Sequence, residues 1–199
     1  MKKLLNPFDY IAGWQALAAG AVALLASAGV AALTDQSFNA FMHIWFADGI
    51  TFWQALAQQT VCWLILSTLL YIVARRASRS RVRALDIYGT NLFARIPVLL
   101  MLAAIWIPGR EAFLGLSAQS TISELEQYFS AGLVMVYGVV SIVMLVWFFW
   151  WSYKAFAVSA NLKGNKALLL FLLCYIVASY AVAPVLLMRY LQPHLSAVQ

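Results

Sequence analysis

Arg95 lies inside an apolar run, Leu92 to Ile107, that reads as a membrane span. An ionisable group there is costly in hydrocarbon and is held by protein, by a counter-charge or by a ligand, so residue type alone marks a candidate site. Asn91 lies one turn before it and Asp86, Tyr88 and Gly89 precede both, which gives a candidate polar cluster at the inner mouth of one helix. Pro97 lacks an N–H and would free backbone carbonyls beside the guanidinium. The chemistry of such a set is coordination of an anionic group, with the amide of Gln58 in the preceding span as a further contributor. The structural alternative is an arginine that reaches lipid headgroups or pairs with Asp86 or Asp9.

A catalytic set does not assemble from the sequence. Ser67, Ser141, Ser152 and Ser179 fall within spans, whereas His43 and His194 fall in outer segments, so no serine has a histidine placed to activate it. HExxH, paired intramembrane aspartates and glycine-rich phosphate loops are all absent from the sequence. His43 between Asp35 and Asp48 is too sparse for a metal site, and Cys62 and Cys174, both within spans, read as small buried hydrophobes. The expectation is therefore a protein without enzymatic step, metal or cofactor.

The elements that must position the cluster follow from composition. Of 199 residues 64% are hydrophobic and 10% charged, with mean hydropathy +0.84, which excludes a soluble fold. Apolar blocks long enough for a hydrocarbon core predict an all-α integral membrane protein, a single domain over 1–199, with five spans at about 14–33, 51–74, 92–107, 131–152 and 167–190. Lys2 and Lys3 ahead of the first block, with Ala26-Ser27-Ala28 inside it, imitate a cleaved signal, but the apolar sequence runs on to Leu33 and is read as a span. Small residues on stripes Ala16, Gly20, Ala28, Ala32 and Ala19, Ala23, Ser27, Ala31 predict close helix contact, within the bundle or with protein partners.

Cations fix an orientation. Arg75, Arg76, Arg79, Arg81 and Arg83 occupy one joint, and Lys154, Lys163 and Lys166 flank another; only Arg110 and Arg189 fall on the opposite side. The N-terminus is expected inside and the C-terminus outside. The arginine run is also the candidate contact for anionic headgroups, whereas the net charge of +6 does not imply nucleic acid, since the cations adjoin spans. A short helix is expected to start at Pro7, with Asn6 as N-cap and Asp9 in its first turn, and another between residues 35 and 50, where Phe38, Phe41, Met42 and Trp45 recur at helical spacing, either lying on the bilayer surface or folded back on the spans. Gln54 and Gln58 share a face, and Trp147-Phe148-Phe149-Trp150-Trp151 is expected at the headgroup boundary. Thr121 and Glu124 form a capping box within the 108–130 joint, Gly164 suits a left-handed C-cap with Asn165 capping the last helix, and Pro184 should kink that helix.

Two stretches carry a resemblance. Leu85-Asp86-Ile87-Tyr88-Gly89-Thr90 through Pro97, and Tyr153-Lys154-Ala155-Phe156 through Asn161-Leu162-Lys163-Gly164-Asn165-Lys166-Ala167, make the chain similar to the Yip1 family. Tyr153, Asn161, Lys163, Gly164 and Lys166 are its motif-loop residues. Asp86, Tyr88 and Gly89 match the family's Asp-x-Tyr-Gly element, although Thr90 stands where eukaryotic members have proline and the element follows the second span. The resemblance implies a five-span, non-enzymatic membrane scaffold or trafficking factor that works through lipid and protein contacts, located in the inner membrane if the source is bacterial. The second reading of the residues is a transporter or lipid-handling protein built on Arg95, for which broken helices at midplane are expected.

Overall fold

The computed structural model describes residues 6–38, 44–46, 49–78, 80–108 and 131–182. Expectations at Lys2, Lys3, His43, Arg79, Arg110, Thr121, Glu124, Pro184, Arg189 and His194 lie outside those residues. The fold is helical: α1 Gly13–Leu33, α2 Phe52–Ala77, α3 Ala84–Phe93, α4 Ile96–Ala103, α5 Ala131–Ser159 and α6 Gly164–Ile176, with a small β1 Gln36–Phe38 and β2 Ile44–Phe46. Four helical segments among the described residues, Gly13–Leu33, Phe52–Ala77, Ala84–Trp106 and Gly132–Ser159, are long and apolar enough to cross a membrane; Gly164–Tyr180 is a shorter apolar helix. Val22, Val139, Ile142, Val143 and Val146 are among the exposed apolar side chains, an outward face suited to lipid tails. Exposed Trp14 at the start of α1 and exposed Trp53 and Trp106 at the opposite end fit the two aromatic levels of a bilayer.

The third segment is the centre of the bundle. Of its most apolar window 67% is buried, against 39% for α1 and 6% for α5, so the small-residue helix α1 flanks the centre and does not form it. Its small residues serve the packing all the same. Ala16, Gly20, Ser27, Ala28 and Ala31 are buried, and α1 packs most extensively against α3. A Cβ on Gly20 would stand 2.6 Å from the Phe93 backbone nitrogen, and one on Gly89 2.7 Å from the Gly13 carbonyl oxygen. Two glycines, one from each helix, thus let the backbones touch. Those five positions of α1 are occupied within the chain, whereas Ala19 is exposed and Ala23 and Ala32 are half-buried.

The third segment also starts earlier than apolarity suggests and is broken. Its helix begins at Ala84, where Asp86 in the first turn complements the dipole, and not near Leu92. Ala94 and Arg95 then form a turn between α3 and α4, and the backbone tightens there, Arg95 N bonding the Leu92 oxygen at 3.1 Å. Pro97, in the first turn of α4, cannot donate to the Phe93 carbonyl, which accounts for the interruption. A last turn of 3₁₀ helix, Ala104–Trp106, completes the segment.

The connector expected to hold an interfacial helix is instead a two-stranded antiparallel hairpin, with Ser37 opposite Trp45. Asp35 at φ 51 ends α1 in the left-handed region, and its Oδ1 accepts from Gly49 N at 3.2 Å. Gln58 draws the strand onto α2: its Oε1 accepts from Phe38 N at 2.9 Å and Ser37 Oγ at 3.2 Å. Those tertiary bonds outweigh the helical spacing of Phe38 and Trp45. Gln54, by contrast, closes a capping box with Thr51 at the start of α2 and does not share the role of Gln58.

At the other end, α5 runs on to Ser159, well past Ser152. It closes in a Schellman arrangement, with Leu162 N to Ala157 O at 3.0 Å and Asn161 N to Val158 O at 3.1 Å. Asn161, at φ 50, is the left-handed residue of this cap; Gly164 is left-handed as well, at φ 64, but opens α6, and Asn165 lies inside it. The Trp147 to Trp151 rings pack inward more than outward: Phe148 and Trp151 are buried, and Trp151 stacks on Phe93 at 5.6 Å. Trp150 alone of the five is exposed, under the ammonium of Lys154 at 4.7 Å. Pro7–Asp9 is a single 3₁₀ turn, in which Asn6 donates to Asp9 Oδ2 at 2.7 Å and caps no backbone N–H.

Candidate functional site

Arg95 is eleven residues from Ala84 and eleven from Trp106, which at about 1.5 Å per residue puts it roughly 16 Å from either end of its segment. That is the middle of the third segment, whereas the sequence places Arg95 near its inner end. The residue is 5% exposed, and its Nε and Nη2 have no hydrogen-bond partner among the described residues. Asp86 lies nine residues away, roughly 13 Å along the axis, and does not pair with it. Its Oδ1 lies instead beside Gly13, 3.6 Å from where a Cβ would stand, so this carboxylate faces the positive end of α1.

The sequence cluster therefore divides. Gly89 is a contact point for α1. Tyr88 fastens α3 to α2: its hydroxyl pairs with Thr68 Oγ1 at 2.8 Å, and its carbonyl accepts from Trp63 Nε1 at 3.1 Å. Asn91 and Arg95 remain together as buried groups with orphaned N–H donors, Nδ2 in the case of Asn91. The groups that share the interior with Arg95 come from other helices. Cys62 of α2 and Tyr175 of α6 are its electrostatic neighbours, and Ser179, just beyond α6, lies one turn after Tyr175. Gln59, one turn before Cys62, accepts from Ser27 Oγ at 2.6 Å while its own Nε2 is buried and unpartnered.

Cys62, Gln59, Ser27 and Tyr175 were not singled out as site residues by sequence reasoning. The signal for the first two is the face of α2 that carries Ala55, Gln59, Cys62, Leu66, Leu70 and Ala74 at three- and four-residue steps, all buried. Gln58 is one position off that face and serves the hairpin.

A second interruption borders the same layer. Val177–Val182 is a π-helical turn, following α6 directly and containing Ser179. Pro184 in the sequence cannot donate an i→i−4 bond to Tyr180, which suits a widened turn at this place. The midplane thus combines a broken third segment, a loosened α6 continuation, one guanidinium and several amide and hydroxyl groups. Such a layer can bind an anion: Arg95 is the one cation in the interior of the described spans, and the orphaned amide nitrogens are donors.

The joint arginines and motif-loop residues form a separate region. Arg75, Arg76, Arg81 and Arg83 are exposed, and Lys166 Nζ donates to the Ala77 carbonyl at 3.1 Å, at the C-terminus of α2. Tyr153, Lys154, Asn161, Lys163 and Gly164 line a cavity of about 350 Å³ together with Asn6. Ser159 Oγ pairs with Thr90 Oγ1 at 3.0 Å and donates to the Asp86 carbonyl at 3.3 Å. The two stretches that carry the Yip1 resemblance are therefore in direct contact, and the cationic joints gather at one end of the bundle.

No family model, curated protein or solved structure matches this chain.

Proposed function

We propose that this is a multi-pass membrane protein that takes an anionic solute or lipid group into the bilayer interior, in the manner of a transporter or lipid-handling protein. The observation that carries the reading is Arg95, buried in the turn between two half-helices at midplane with N–H groups left without partners. A charge in that position is expensive unless something neutralises it, and broken helices beside an ion-binding residue are the common architecture of secondary transporters. The reading includes five crossings, the last continuing from Gly164–Tyr180, with the N-terminus and the cationic joints cytoplasmic. A cytoplasmic reporter fused after Gln199 should then be silent and an exported one active.

The decisive measurement is thermal unfolding of the protein in lipid nanodiscs across a panel of anions, compared with Arg95→Met. An anion that raises the melting temperature of the wild type and leaves Arg95→Met unmoved supports the reading. Equal response of both proteins, or of neither, rejects it.

A second reading, a non-enzymatic membrane scaffold of Yip1 type, draws support from the Ser159 bridge between the two motif stretches. On that reading anionic headgroups and protein partners engage Arg75, Arg76, Arg81 and Arg83. Charge reversal at those arginines would then change the cross-linked neighbours in native membranes, whereas Arg95→Met would not.

A further inference from the structure

We infer that the ligand of the Arg95 site is a compact monocarboxylate, gripped side-on by Nε–H and Nη2–H. This rests on the anion-binding reading above and narrows it to a chemical class. A guanidinium presents two forks, one from its two terminal nitrogens and one along the edge shared by Nε and Nη2. The two unpartnered buried atoms of Arg95 are the two that make up the second fork. Their N–H bonds run parallel, and the two oxygens of one carboxylate accept both at once. A halide offers a single centre to such a fork and leaves its geometry unused.

Charge narrows the class further. Arg95 is the one cation in the interior of the described spans, and its ionisable neighbours there are the thiol of Cys62 and the phenol of Tyr175. A monoanion leaves the layer neutral. A phosphate dianion would leave a net negative charge in a low-dielectric interior without a second cation. A phosphodiester has the right charge, but lipid phosphates sit at the headgroup level, and Arg95 is roughly 16 Å from either end of its segment. The interior also suits a small acid with an apolar remainder, since Cys62, Leu66, Val98, Leu102 and Phe171 belong to the one large buried apolar cluster of the bundle. Asn91 Nδ2, one turn before Arg95, and Gln59 Nε2, one turn before Cys62, are two further orphaned donors at its border.

The test is titration of the full-length protein in nanodiscs with sodium butyrate, dimethyl phosphate, inorganic phosphate and chloride. Binding is read by melting temperature and by the ¹³C signal of carboxyl-labelled butyrate. Butyrate should saturate at the lowest concentration, with a shifted bound carboxyl signal. Arg95→Lys keeps the charge but not the fork and should weaken butyrate by about tenfold or more while leaving chloride nearly unchanged. Should Arg95→Lys fail to fold, the rank order on the wild type decides alone. Preference for dimethyl phosphate, inorganic phosphate or chloride overturns the carboxylate assignment and leaves the anion reading standing. Equal butyrate binding by Arg95→Lys overturns the fork. Binding of none of the four overturns the carboxylate assignment, and if the wider anion panel is silent as well the parent reading falls with it.

Discussion

Gln58 and Gln59 are adjacent on α2, equally buried, and belong to two regions of opposite character. Gln58 serves the hairpin end, where Thr34, Gln36, Ser37 and the Phe38 backbone are joined by short bonds; Gln36 Nε2, for example, reaches Thr34 Oγ1 at 2.8 Å and the Leu102 carbonyl at 3.1 Å. Gln59 serves the Arg95 layer, where its Nε2, Asn91 Nδ2 and two nitrogens of Arg95 have no hydrogen-bond partners among the described residues. Burial is the same in both regions, so desolvation was incurred in both. Only the hairpin end recovers it in hydrogen bonds. Polar groups that are buried and satisfied hold a fold together; those that are buried and unsatisfied carry a desolvation cost that the described residues do not offset.

The largest expected effect lies at the close crossing of α1 and α3, where backbone packing and not hydrogen bonding fills the interior. Gly20→Val places a side chain against the Phe93 backbone, which has no freedom to retreat, and should cost about 3 kcal/mol. Gly29→Ala is the control, since a Cβ there meets nothing within 4 Å and the change should be neutral or mildly favourable. Thermal unfolding in detergent measures both, and equal effects would show that the close crossing of α1 and α3 is absent. Next comes Gln58→Leu, which strands the Phe38 N–H and the Ser37 hydroxyl and should cost about 2 kcal/mol. Gln59→Leu removes an orphaned donor and one bond from Ser27, whose hydroxyl also has the Leu24 carbonyl at 2.8 Å, so its cost should stay within about 0.5 kcal/mol. Similar losses at 58 and 59 would erase the distinction between the regions.

Arg95→Met sharpens the contrast because its sign is reversed. Replacing an unpaired buried charge with an apolar side chain of similar length should raise ligand-free stability by about 1 to 2 kcal/mol. A loss of stability would mean that the guanidinium is a structural member of the bundle and not a binding group.

Much of this was legible from residue types. The long apolar blocks, the presence of Arg95 within one of them and the small-residue stripe of α1 all follow from composition and period, because membrane spans tolerate few other solutions. The hairpin was not legible, since Phe38 and Trp45 fit a helical period and the competing signal, a Gln58 twenty residues away, is a tertiary one. The start of the third segment was hidden by Asp86, which lowers local apolarity yet suits a helix N-terminus next to α1. The C-cap of α5 was assigned to Gly164 because glycine favours the left-handed region; Gly164 does adopt it, but at the start of α6, and Asn161 closes α5, an alternative open to asparagine. Gln59 was passed over for Gln58 by one position, a distinction that only the facing helices make.

A further small effect tests whether the corner between the Asp86 and Ser159 stretches is redundantly bonded. Ser159 Oγ donates to the Asp86 carbonyl at 3.3 Å, and Thr90 Oγ1 donates to the same oxygen at 2.6 Å. Ser159→Ala therefore leaves no orphan: the carbonyl keeps Thr90, and the cost should be the low end of a net hydrogen bond, about 0.5 kcal/mol. Thr90→Val alone should cost about as little, since Ser159 then covers the carbonyl. The pair together leaves fewer side-chain donors than acceptors at that corner, and its loss should exceed the sum of the singles by about 0.5 to 1 kcal/mol in a double-mutant cycle. Strict additivity would mean that the two hydroxyls do not share one acceptor, and the contact between the Asp86 and Ser159 stretches would lose its main support.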